Sequence, residues 1–123
     1  MTVGEAISGI DRLKHNDFLR EDKLAWLSNL DWKVKRQIID THEGGDQVCF
    51  RGYDADTFPE KRLLVPPPYD EIYLRWLEAQ IDYHNGDMKR YNNAIVLFNT
   101  AFAAFANFYN RTHMPLGKHM KFF

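Results

Sequence analysis

The feature that most constrains this chain is a long stretch without charge in its C-terminal third. From Tyr91 through Asn110 there is no Asp, Glu, Lys or Arg, and Tyr91, Ile95, Phe98, Phe102, Phe105 and Tyr109 follow at intervals of 4, 3, 4, 3 and 4 residues. That spacing returns to one side of an α-helix and matches a coiled-coil-like seam. Ala94, Leu97, Ala101, Ala104 and Phe108 form a second row beside it, and the far side carries Asn92, Asn99, Thr100, Ala103, Ala106, Asn107 and Asn110. A helix with one side in water ordinarily carries Lys and Glu there. Two explanations stand open. The helix is the central one of a monomeric bundle, or its outer side meets a neighbouring subunit, where charge is depleted. On the second, Asn92, Asn99, Thr100, Ala103 and Asn107 are the candidate subunit interface. A membrane span does not fit, because Asn92, Asn93, Asn99 and Asn107 are costly in hydrocarbon.

Periodicity predicts three further helices. Thr2 and Glu5 have capping-box spacing, and Val3, Ala6, Ile7, Ile10 and Leu13 follow at helical intervals, with an end near His15 and Asn16. A second helix is expected from about Leu19 to Thr41. It places Leu24, Leu27, Leu30, Val34 and Ile38 on one side, Trp26 at the margin, and Asn29, Lys33, Arg36 and Asp40 opposite. Gly44 and Gly45 end it. The third spans about Tyr69 to Asn85; its charged stripe of Glu71, Arg75, Glu78 and Asp82 lies within about 60° of the wheel and reads as solvated. Asn85-Gly86-Asp87 then supplies a C-cap glycine and an N-cap aspartate, so the third and fourth helices are antiparallel neighbours. The fourth runs from about Asp87 to Thr112.

Between Gly44 and Pro68 the helical period disappears. Val48, Phe50 and Tyr53 alternate briefly and Arg62 to Val65 suits a second short strand, with Gly52, Asp54, Asp56 and Pro59 as turn formers. The segment is a long loop or a small β-hairpin. A loop of that length in a small domain is usually functional or mobile. The predicted fold is therefore all-α: one four-helix bundle-like domain over residues 1–123, with the loop or hairpin at 44–68 and an extended C-terminal tail at 113–123.

Composition narrows the function. Sixteen basic and 17 acidic residues give a net charge of −1, so a broad basic face for duplex nucleic acid is not expected. The single cysteine, Cys49, suits a reducing compartment. The first residues lack the basic stretch and apolar run of a signal peptide, which predicts synthesis into the cytosol. An aromatic share of 15% exceeds what so small a core needs and points to aromatic surface that meets a partner. No phosphate loop, nucleophile elbow or zinc signature is present. His15, His42, His84, His113 and His119 show no metal-ligand spacing, and Asp54, Asp56 and Glu60 lack the glycine and terminal Glu of a calcium loop. Catalytic residues, cofactor and metal are all expected to be none, and the chain is not expected to be an enzyme.

Pro67-Pro68-Tyr69-Asp70-Glu71-Ile72-Tyr73, Trp76 to Tyr83, Asn85-Gly86-Asp87, Arg90 to Asn93, Phe98-Asn99 and Tyr109 to Pro115, together with Asp22 to Leu27, carry a resemblance. The chain resembles the head–tail connector (adaptor) proteins of tailed bacteriophages and prophages of Gram-positive bacteria, over most of its length except the centre of the 44–65 loop. The resemblance implies a virion structural protein at the head–tail interface, present in the host cytoplasm during assembly. It implies a homo-oligomeric ring, commonly of twelve copies, beneath the portal protein, which extends the DNA channel and offers a platform to the next tail or stopper component. DNA would pass transiently and without sequence preference, and no membrane is involved. Near-neutral charge suits such a channel, because a strongly basic lumen would hold the phosphate backbone. By the same resemblance, His113, Met114, Pro115, Leu116, Lys118, Phe122 and Phe123 are the portal-docking residues; a fraying tail is the plain alternative. Two other roles stay open: a tail-completion or minor capsid protein, and a small phage-encoded regulatory binding module.

Overall fold

The computed structural model describes residues 1–116. Four α-helices, α1 (Val3–Leu13), α2 (Arg20–Gln37), α3 (Ile72–His84) and α4 (Met88–Thr112), are accompanied by single 3-10 turns at Ile39–Thr41, Gly45–Gln47 and Tyr69–Glu71. The fold is all-α and bundle-like. Among the described residues there is no strand, only isolated antiparallel bridges at Thr2–Arg62 and His42–Pro115. Residues 44–68 contain the Gly45–Gln47 turn and no strand.

Local chemistry sets the helix ends. The Glu5 N–H donates to Thr2 Oγ1 at 3.1 Å and the Thr2 N–H donates to Glu5 Oε1 at 2.9 Å, the reciprocal cap that the spacing announced. The same bonds from Thr2 hold the Glu5 carboxyl below its ordinary value. α1 stops at Leu13, earlier than expected, because Asn16 competes for the backbone. Its amide donates to the Lys14 carbonyl at 2.9 Å and its oxygen accepts from the Phe18 N–H at 3.2 Å. α2 likewise ends at Gln37 and tightens into the Ile39–Thr41 turn, where Thr41 Oγ1 donates to the Ile38 carbonyl at 2.7 Å.

Gly45 closes this corner from beneath. A Cβ there would lie 2.3 Å from the Ile39 carbonyl oxygen. Gly45→Ala is expected to cost at least about 2 kcal/mol of stability, as overpacking against backbone does. Thermal unfolding checks it, and a change under about 0.5 kcal/mol would show that the corner relaxes freely.

α3 is the hub of the core. Ile72, Tyr73, Leu77, Ala79 and Ile81 are buried in it, and it packs against each of the other three helices. α4 packs on α3 and on the Tyr69–Glu71 turn, with little else beneath it. The central helix is therefore α3, and α4 is peripheral. Length reinforces the point: α4 has 25 residues against 13 in α3, so at 1.5 Å per residue it overhangs its support by roughly 18 Å. One sequence expectation fails in α3 itself. Asp82 is not a solvated member of the charged stripe; it is 3% exposed and pairs with Lys14 Nζ at 2.9 Å, tying the end of α1 to α3. Arg75 and Glu71, 2.7 Å apart, remain on the surface as expected.

Candidate assembly interface

Helix α4 uses a narrow stripe for its own fold. Ala94, Phe98 and Phe105 are buried, with Phe98 against Trp76 (ring centroids 4.8 Å) and Phe108 stacked on Tyr69 (4.7 Å). The second row is only half covered, since Leu97 and Ala104 are exposed. Asn92, Asn99, Thr100, Ala103 and Asn107 are all exposed on the outer side. Val96, 60% exposed, sits among them, and Leu97 is 47% exposed. The Thr100 hydroxyl donates back to the Val96 carbonyl at 3.0 Å, which turns its polar atom into the helix and leaves its methyl group outward. No acid occurs anywhere in Met88–Thr112, and its cations, Lys89, Arg90 and Arg111, lie at the two ends. The outer side is thus a strip of amides, methyl groups and Val96 with no charge across its middle. Val96 was legible beforehand: it stands four residues after Asn92 and three before Asn99, so it had to fall on that side.

The 44–68 loop is anchored more firmly than its composition suggests. Phe50, Tyr53, Leu63 and Val65 are buried. A polar knot lies beneath them. Tyr73 Oη donates to Asp31 Oδ1 at 2.6 Å, Tyr53 Oη and the Leu64 N–H (3.1 Å) donate to Oδ2, and the Val65 N–H donates to Tyr73 Oη at 2.7 Å. Asp31 is wholly buried and makes no ion pair among the described residues; its three donors take the place of water. Burial pushes the Asp31 carboxyl above its ordinary value, against the opposing pull of the Tyr53, Tyr73 and Leu64 bonds. Burial first, and then the Asp31 carboxylate, raise both tyrosine hydroxyls well beyond the usual phenol range.

The segment after α4 folds back onto its own domain. His113 stacks on Tyr109 with ring centroids 3.7 Å apart and planes within 3°. The Glu43 N–H donates to the Met114 carbonyl at 2.8 Å, and the Leu116 N–H donates to the Thr41 carbonyl at 2.9 Å. Beneath, buried His42 donates from Nδ1 to the Ile38 carbonyl at 2.6 Å, and its Nε2 lies 2.8 Å from the Asn110 side chain. Pro115 is half-buried, while the side chains of Met114 and Leu116 are 57% and 55% exposed. Of the residues that the resemblance marks for portal docking, His113 to Leu116 are thus brought together as one edge, with the Met114 and Leu116 side chains outward. Lys118, Phe122 and Phe123 lie outside the described residues.

Among the described residues no group of three or more His, Cys, Asp or Glu side chains is placed to hold a metal ion, and no helix is long and apolar enough to cross a membrane. Compared with protein-family models, curated proteins and solved structures, the chain matches none.

Proposed function

We propose that the protein is a structural assembly subunit, specifically a head–tail connector (adaptor) of a tailed bacteriophage that forms a ring beneath the portal protein. The single observation that supports the reading most is the outer side of α4. A peripheral helix presents Val96, Leu97, Ala103 and Ala104 among asparagines, with no charge between Arg90 and Arg111. Water-facing helices keep charge on such positions, whereas the centres of protein–protein interfaces lose it. The resemblance in residues 67–93 and 109–115 adds the setting, and the exposed Met114 and Leu116 edge offers a second contact for the portal.

The test is incorporation. Purified protein mixed with portal particles should give, by electron microscopy, an added ring on one face of the portal. Ala103→Arg places a guanidinium in the middle of the uncharged strip while touching nothing buried. It is expected to leave the unfolding free energy within about 0.5 kcal/mol of wild type and to reduce incorporation at least tenfold. A wild-type protein that stays monomeric in the presence of portal, or an Ala103→Arg variant that assembles as wild type does, would contradict the proposal.

A further inference from the structure

Asn85 stands before Gly86, and no other asparagine of the chain precedes a glycine. Glycine has no Cβ to shield its backbone nitrogen, so in this dipeptide that nitrogen reaches the asparagine side chain with least hindrance. Both residues are exposed, and nothing lies within 4 Å of the place a Gly86 side chain would occupy. Water and hydroxide therefore have free access to the junction of α3 and α4.

The chemistry open to this pair needs only water. Hydroxide removes the Gly86 amide proton and the nitrogen attacks Asn85 Cγ. The new N–Cγ bond forms, the Cγ–Nδ2 bond breaks, and the departing nitrogen takes a proton from water and leaves as ammonia. Water then opens the cyclic imide at either carbonyl. One product is an aspartate; the other is an isoaspartate whose main chain runs through the former side chain.

The fold opposes the first step. Ring closure needs the Gly86 nitrogen on the same side of the Asn85 Cα–C bond as Cβ. At the observed ψ of −6° it eclipses the Asn85 nitrogen instead. Two bonds hold the peptide there: the Gly86 N–H donates to the Tyr83 carbonyl at 3.1 Å and the Asp87 N–H to the Asp82 carbonyl at 3.0 Å. With Gly86 at φ +76°, they are the bonds that close a helix on a left-handed glycine. The cap of α4 is built on the same turn, since the Arg90 N–H donates to Asp87 Oδ1 at 3.2 Å. We propose that Asn85 is a site of spontaneous deamidation latched by the α3–α4 turn, reacting only in molecules whose turn has opened. The isoaspartate cannot reclose in register, because its main chain is longer by one methylene. Either product also sets a carboxylate at the C-terminal end of α3, against the helix dipole.

The experiment is peptide mapping by mass spectrometry of the full chain, held at mildly alkaline pH either folded or in guanidinium chloride. In the denatured chain Asn85 should deamidate before any other asparagine. In the folded chain it should react at least about tenfold more slowly, in step with the population of the open turn. Asp87→Ala keeps the reacting dipeptide and removes the side-chain cap of α4. It should raise the folded-state rate about fivefold and leave the denatured rate unchanged. Equal rates in folded and denatured wild type overturn the inference, as does a denatured chain in which another asparagine reacts first. So does an Asp87→Ala variant whose folded-state rate equals that of wild type.

Discussion

Replacing Asp31 by alanine is expected to lower the unfolding free energy by about 4 kcal/mol, or roughly 15 °C in Tm for 123 residues. The size of the effect comes from what the substitution leaves behind. The hydroxyls of Tyr53 and Tyr73 and the Leu64 N–H all donate to this one carboxylate. Each orphaned buried donor costs about 1–3 kcal/mol, partly offset where water enters the gap. Asp31→Asn keeps the shape and one acceptor oxygen, so its loss should be smaller. The two variants separate hydrogen bonding from packing in denaturant titrations; an Asp31→Ala loss below about 1 kcal/mol would show that the knot is not structural.

The same carboxyl gives an unusual dependence on pH. Its folded-state value lies above the ordinary 3.8, so the folded protein holds the Asp31 proton where the unfolded chain has already released it. The contribution of this group is complete below pH 3.8 and is lost as the pH rises through the folded-state value. Wild type should therefore gain stability relative to Asp31→Asn as acid is added across that window. Paired carboxylates with depressed values behave in the opposite sense. A constant difference between the two proteins across the acid range would contradict the assignment.

Phe105→Ala should be equally damaging, at about 4 kcal/mol. Phe105 is 1% exposed and packs beside Tyr69, Phe108 and Tyr109. It lies on the part of α4 that overhangs α3, where Tyr69 and the His42 corner are the main supports. The loss should therefore be uneven. Amide exchange is expected to accelerate in residues 101–112 well before it does in 91–98, with α3 least affected. Uniform acceleration along the helix would mean that α4 is a single cooperative unit, contrary to this account.

What could be read from the sequence was mostly local. Thr2–Glu5 and Asn85-Gly86-Asp87 fixed helix ends because capping is decided within a few residues. Leu24, Leu27, Leu30, Val34 and Ile38 named the buried side of α2 correctly, since period alone determines it. Partners distant in the chain were less visible. Asp82 looked solvated beside Glu78 and Arg75, and it is tertiary neighbours that enclose it, Lys14 from α1 with Ala94 and Leu97 of α4 nearby. Asp31 did leave a signal, four residues after Leu27 and three before Val34 and so on the apolar side, but its partners stand 22 to 42 residues away. The uncharged side of α4 was plain in the sequence. That α3 and not α4 occupies the centre follows from how the helices stack, which spacing within one helix does not reveal.

The Asp31 knot also changes what the long loop can do. Eighteen residues between Val48 and Val65 without regular structure ordinarily imply slack. Here Phe50 and Tyr53 grip one limb, Leu63 to Val65 grip the other, and both limbs meet at one carboxylate shared with α2 and α3. The span from Asp54 to Arg62 between the grips is tied as well, with the Pro59 and Lys61 carbonyls accepting from the Gly4 (2.8 Å) and Val3 (2.9 Å) N–H groups at the start of α1. A pull on that span is transmitted into α1 as well as into the two helices that share the carboxylate, so the segment behaves as a rivet rather than a tether.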